Sequence, residues 1–225
     1  MLFEWSPNRL APACSVEARI VNISVMAHAA VLTIGHSTRS LAELIELLKA
    51  QGAAGVVDVR TIPRSRTNPQ FDRDALSRDL EAAGIGYRHA PGLGGLRRAR
   101  PDSPNMGWHN ASFRGFADYM QTPEFADALR VLIEDSQKER LALMCAEAVP
   151  WRCHRSLIAD ALAVRGIAVE HIVGKGRTQP HALTPWAAVE GTTIVYPLAK
   201  AERYEAARAA APHGAGKPSH GSAAR

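Results

Sequence analysis

Arg140-Leu-Ala-Leu-Met-Cys145-Ala-Glu-Ala-Val-Pro150-Trp-Arg-Cys-His-Arg155-Ser-Leu-Ile-Ala-Asp160-Ala-Leu-Ala-Val164 changes its structural period partway along. Arg140–Met144 is a short, mostly apolar run with the length of a buried strand. From Cys153 or Arg155 to Val164, Leu157, Ile158, Ala161 and Leu162 recur at helical spacing, and Gly166 is a natural stop. Ile167–Val173 returns to a strand. Strand, helix, strand is the unit of a parallel sheet, because parallel neighbours need a crossover connection.

The same alternation runs toward the N-terminus. Ala30–Ile34 reads as a first strand ending in Gly35-His36-Ser37. Ser40-Leu-Ala-Glu43 has capping-box spacing, and Leu41, Leu44, Ile45, Leu47 and Leu48 form the apolar stripe of a helix that stops at Gly52. Gly55–Val59 is a second strand, ending in Asp58-Val59-Arg60 and a polar loop over Thr61–Gln70. Asp72–Ala83 is a helix closed by Gly84, and Ile85–His89 a third strand leading into Pro91-Gly92-Leu93-Gly94-Gly95. Arg97–Asn110 is irregular and Ser112–Met120 helical. Thr122-Pro123 opens another helix, with Thr as the cap and Pro at the first position. The fold predicted is α/β: a mainly parallel, doubly wound (Rossmann-like) three-layer sheet of about five strands. Residues 1–28 read as a loose N-terminal extension, 29–198 as a single α/β domain, and 199–225 as a disordered basic tail.

Apolar residues at 46% supply a core, which excludes a disordered chain. No apolar run is long enough to span a bilayer, so no membrane is expected. Met1–Met26 lacks a basic start followed by an apolar block, so the expected location is the cytoplasm; Met26 is an alternative start. Cys14, Cys145 and Cys153 are too few for a disulfide framework and are expected to be reduced. Residues 199–225 hold Lys200, Arg203, Arg208, Lys217 and Arg225 against Glu202 and Glu205, so most of the net +5 charge lies in the tail. The charge is therefore weak support for a nucleic-acid partner.

In an open parallel sheet, ligands bind beyond the carboxyl ends of the strands. That rule gathers His36 and Ser37, Asp58 and Arg60, His89 with Gly94 and Gly95, and Cys145 and Glu147 with Cys153, His154 and Arg155. A thiol near a helix N-terminus, or beside Arg and His, is a better nucleophile. The same helix end with arginines nearby suits an anion. The expected catalytic residues are Cys145, Glu147 and His36. The expected ligand-binding residues are Ser37, Asp58, Arg60, Gly94, Gly95, Cys153, His154 and Arg155. No cofactor is indicated.

Plainer readings stand beside these. Cys145 and Cys153 fit as packed core residues. Asp58 and Arg60 fit as an internal ion pair, and His36 as a satisfied loop histidine. Arg152 and the Arg97, Arg98 and Arg100 run fit as solvated charges. Tyr87, Trp108, Phe113 and Tyr119 fit either a base-stacking surface or the core. Cys145, Cys153 and His154 do not have zinc spacing, so no metal is expected. Arg152 lies too far past Cys145 for a cysteine-phosphatase or sulfurtransferase loop.

Thr33-Ile-Gly-His-Ser37, Asp58-Val-Arg60 with Pro63 and Ser65, Gly92-Leu-Gly-Gly95 and Cys145-Ala-Glu147 with Cys153-His-Arg155 resemble the domain of unknown function 488 family. The resemblance spans about Leu32 to Ile172 and implies a compact α/β fold without naming a reaction. The leading expectation is an enzyme acting on a phosphate-bearing small molecule or nucleotide. In it, Arg60 and Arg155 hold the anion, Cys145 or Glu147 acts on it and His36 assists. The alternatives are a nucleic-acid-binding module for DNA modification or repair, carried by the Arg97–Arg100 loop and the tail, and a ligand sensor without turnover.

Overall fold

Three strands are buried along their whole length because both faces of the sheet are covered: β1 (Val31–Gly35), β2 (Gly55–Asp58) and β4 (Leu141–Cys145). A computed structural model describes residues 30–210. The expected N-terminal extension, Cys14, the Met26 start and the tail beyond residue 210 lie outside the described residues. β3 (Gly86–His89), β5 (Val169–Gly174) and β6 (Arg177–Pro180) complete a sheet of order β3-β2-β4-β1-β5-β6. Every pairing is parallel except β5–β6.

Alternate side chains along each strand feed two separate cores. Leu32, Ile34, Val56, Ala142 and Met144 pack against α1 (Leu41–Ala50) and α2 (Arg73–Ala82). Val31, Val57, Leu141, Leu143 and Cys145 pack against α3 (Ala111–Tyr119), α4 (Pro123–Ser136) and α5 (Arg155–Ala163). The result is the three-layer, doubly wound, Rossmann-like architecture expected.

The sheet order creates a switch point. β1 and β4 are neighbours. The helix after β1 lies on one face and leads to β2, while the helix after β4 lies on the other and leads to β5. The two connections diverge, and a crevice opens at the carboxyl ends of this pair. The His36 and Ser37 amides donate to the Cys145 and Ala146 carbonyls at 3.0 and 2.9 Å, tying the strand ends together. Gly35 makes that approach possible: a Cβ there would stand 1.8 Å from the Glu147 carbonyl oxygen. Ser37 carries the positive φ of 47° that turns the chain out of β1.

Local signals behave as their chemistry dictates. Ser40 accepts from the Glu43 amide and Thr122 from the Phe125 amide, capping α1 and α4. Glu43 itself pairs with Arg39 at 3.1 Å rather than closing a capping box. Three elements depart from expectation. β6 is a mostly exposed polar edge strand after a turn at Gly176, so it has no apolar alternation to reveal it. The hairpin of β7 (Ala188–Glu190) and β8 (Thr193–Val195) is too short for a period to show. Residues 198–210 form α6 (Leu198–Ala210), correcting the disordered tail over that span. Its alanines favour helix even though only Ala201 is buried. Lys200 Nζ bonds the Ala187 carbonyl at 3.1 Å, and Tyr204 packs on Trp186, which anchors it.

Candidate functional site

α5 begins without a side-chain oxygen to cap it; His154 at the cap position makes no capping bond. Cys153 takes that role with sulfur. The Arg155 amide donates to Cys153 Sγ at 3.5 Å, and Arg155 Nε donates to the same sulfur at 3.4 Å. The Arg155 guanidinium is fully buried. Its other nitrogens donate to Thr33 Oγ1 at 3.4 Å and to the Glu147 carbonyl. Among the described residues it forms no ion pair with a carboxylate. A buried, unpaired guanidinium costs several kcal/mol, so it needs an anion beside it. The group in position to be that anion is the Cys153 sulfur.

The thiol chemistry agrees. Burial opposes ionisation of Cys153. Hydrogen bonds from Cys145 and His154 and the Arg155 charge outweigh it, and bring the thiol well below its ordinary value. Its position at the N-terminus of α5 adds the helix dipole. Cys145 moves the opposite way: its hydrogen bond with Cys153, and then burial, push it far up. Cys145 is therefore the protonated partner. Its sulfur also accepts the Glu147 amide at 3.4 Å.

His154 is oriented from behind. Its Nε2 lies 3.2 Å from the Val59 carbonyl, which can only accept, so Nε2 carries the proton and Nδ1 faces Cys153 Sγ at 3.7 Å. That leaves Nδ1 placed to take the thiol proton. Gly95 packs so closely that a Cβ would stand 2.5 Å from His154 Nδ1. The glycine loop thus seats the imidazole.

His36, Asp58 and Arg60 form a second unit. Arg60 Nε and Nη2 grip the Asp58 carboxylate, with Nη2 2.5 Å from Oδ2, and Tyr87 donates to it at 2.8 Å. Arg60 also donates to the Phe71 carbonyl at 2.8 Å and reaches His36 Nε2 at 3.4 Å. His36 stacks on Phe71 with ring centroids 4.1 Å apart, and its Nδ1 donates to the Ser37 carbonyl. Burial pushes His36 below its ordinary value, and the Arg60 charge adds to that, so the ring is neutral. Arg60 arrives already neutralised by Asp58.

These units line one cavity of about 430 Å³. Of the residues expected at the site, His36, Arg60, Gly95, Cys145, Glu147, Cys153 and His154 face it. Ser37, Asp58, Gly94 and Arg155 are not part of its lining. Arg64, Arg152, Ile62, Leu96 and Phe113 belong to the cavity but were not among the expected residues. Arg64 follows the second strand as Arg60 does, and that offset was the available signal. Ile62 and Leu96 are among the most exposed large apolar side chains, at 61% and 71%. Within the Arg97–Arg100 run, Arg97 lies over the Tyr119 ring at 3.6 Å, Arg100 pairs with Asp102 on the surface and Arg98 is exposed.

Behind Arg155 runs a buried polar chain. Thr33 Oγ1 lies 2.7 Å from His171 Nδ1, His171 Nε2 lies 3.0 Å from His181 Nδ1, and His181 Nε2 lies 2.8 Å from Asp160 Oδ1. Asp160 also accepts from Thr184 and Tyr196. Asp160 accepts at one end of this chain and Arg155 donates to Thr33 at the other. Burial first, then His181, lowers His171 to about 4. No local pattern announces these contacts, which join residues as far as 138 positions apart.

The fold and the site together define a Rossmann-like α/β protein with a paired-cysteine pocket at its switch point. The chain belongs to the family described as Domain of unknown function DUF488, which matches residues 40–162. No curated protein and no solved structure matches the chain. Among the described residues, no helix is long and apolar enough to cross a membrane, and no group of three or more His, Cys, Asp and Glu is placed to hold a metal.

Proposed function

We propose that this protein is an enzyme acting on a phosphate-bearing small molecule or nucleotide, with Cys153 rather than Cys145 as its nucleophile. The observation that carries the reading is the fully buried Arg155 guanidinium, whose nearest candidate anion is the Cys153 sulfur 3.4 Å away. His154 Nδ1 accepts the thiol proton and returns it to the leaving group. Glu147, exposed at the cavity edge, is a second acid-base group. Arg64 and Arg152, both exposed at the rim, take over the anion-holding role expected of Arg60 and Arg155, which are committed to Asp58 and Cys153. The apolar wall of Ile62, Leu96 and Phe113 suits a base or another apolar moiety beside the phosphate.

The test is alkylation of Cys153 by iodoacetamide, with and without a panel of nucleotides and sugar phosphates. Protection by a member of the panel, loss of that protection in Arg64→Ala with Arg152→Ala, and turnover of the ligand that fails in Cys153→Ser are expected. Equal alkylation with every ligand present overturns the anionic-substrate reading.

A further inference from the structure

Two free, buried thiols line one cavity, and their surroundings push Cys153 toward the thiolate and Cys145 toward the thiol. An anionic substrate needs only one of them. Cys145 ends β4 and Cys153 lies two residues before α5, so rigid elements flank the loop between them, and both residues face the same cavity. Glu147 bridges the two from behind: its amide donates to Cys145 Sγ, and its carbonyl receives Arg155, which itself donates to Cys153 Sγ. A neighbouring protonated thiol is what a sulfenic acid needs to become a disulfide instead of oxidising further.

We infer that Cys153 and Cys145 are the attacking and resolving sulfurs of a dithiol that reduces a hydroperoxide, closing to a Cys145–Cys153 disulfide. In the first step the Cys153 thiolate attacks the terminal oxygen of ROOH. An S–O bond forms and the O–O bond breaks. The alkoxide leaves with the proton held by His154, giving ROH and Cys153 sulfenic acid. In the second step Cys145 Sγ attacks Cys153 Sγ. An S–S bond forms, the S–O bond breaks, and hydroxide leaves with the Cys145 proton as water. Two thiols lose two electrons in all, and the hydroperoxide gains them. A small-molecule thiol at two equivalents reduces the disulfide and restores the pair.

The buried charge sets the direction of the cycle. A disulfide carries no charge, so oxidation strips Arg155 of its counter-ion while it stays buried. The reduced form is favoured for the same reason, and a dithiol stabilised when reduced makes an easily reduced disulfide. The cavity wall of Ile62, Leu96 and Phe113 points to an organic hydroperoxide over hydrogen peroxide.

This inference shares the Cys153 thiolate with the proposed function but not its anionic substrate. The experiment treats the reduced full-length protein with hydrogen peroxide or cumene hydroperoxide, with no phosphate ligand present, and follows it by non-reducing peptide mass mapping. Expected are a Cys145–Cys153 linkage forming at least about tenfold faster than oxidation of a free thiol, a dimedone adduct at Cys153 in Cys145→Ser, and neither product in Cys153→Ser. Cumene hydroperoxide is expected to react faster than hydrogen peroxide. Reduced glutathione is expected to reopen the linkage in the wild type. Oxidation of Cys153 directly to the sulfinic acid without the linkage, or a rate equal to that of a free thiol with both peroxides, overturns the inference. Ligand protection from alkylation without the linkage removes this inference alone; the linkage without any protection removes only the anionic-substrate reading.

Discussion

Replacing Arg155 by methionine takes the counter-charge away from Cys153 while filling most of the same space. Arg155 Nε stands 3.4 Å from the sulfur and the side chain is fully buried. Opposite unit charges at that separation attract by about 5 kcal/mol at an effective dielectric of about 20. That corresponds to about 3.5 pKa units for the thiol. The amide at the start of α5, His154 and Cys145 still support the thiolate in the variant, so the expected rise is smaller, about 2 units. The lost bonds to Thr33 and the Glu147 carbonyl cost about 1–3 kcal/mol each at most, which leaves a folded protein to measure. The assay is the pH dependence of alkylation at Cys153, read residue by residue by mass spectrometry, with circular dichroism confirming the fold. A folded Arg155→Met protein whose Cys153 profile matches the wild type refutes the idea that this guanidinium holds the thiolate.

Gly35→Ala forces a Cβ to within 1.8 Å of the Glu147 carbonyl oxygen, so β1 and the loop after β4 must separate; a loss of about 3 kcal/mol or more is expected in urea unfolding, with slower Cys153 alkylation at neutral pH. Asp58→Asn leaves Arg60 buried without its anion and is expected to cost about 3–5 kcal/mol in the same measurement, where a loss below about 1 kcal/mol contradicts the clamp. His171 is depressed from 6.5 to about 4, so the unfolded chain binds its proton first as pH falls. The stability His171 contributes is whole above about pH 6.5 and falls away between there and about pH 4, by at most about 3 kcal/mol, and His171→Gln is expected to flatten that part of the urea-midpoint profile.

Most of the layer architecture was legible because buried strands and amphipathic helices advertise themselves by period. Leu141–Met144 and the Leu157, Ile158, Ala161, Leu162 stripe needed no partner to be recognised. Strand order was not legible: that β1 sits between β4 and β5 depends on contacts no local pattern encodes. The rim residues could be placed before their neighbours because parallel strands share one carboxyl end. What each does could not. Arg155 looks like an anion ligand in the sequence, yet Thr33, 122 positions away, helps draw its guanidinium inside. Arg60 could be read either as an anion ligand or as the ion-pair partner of Asp58, two residues earlier, and only the fold shows that Asp58 holds it. Cys145 and Cys153 differ by which one receives the Arg155 donors, a distinction of geometry alone. α6 was missed because an alanine-rich helix that buries little resembles a tail in composition.

A fully buried arginine that requires a neighbouring anion must keep one cysteine of this protein ionised at neutral pH. Ultraviolet thiolate absorbance, titrated in parallel for the wild type and Cys153→Ser, measures that directly. About one thiolate more is expected in the wild type at pH 7, persisting well below the ordinary range of a cysteine. Superimposable titrations, or a difference that emerges only around the ordinary thiol value of about 8.5, contradict it.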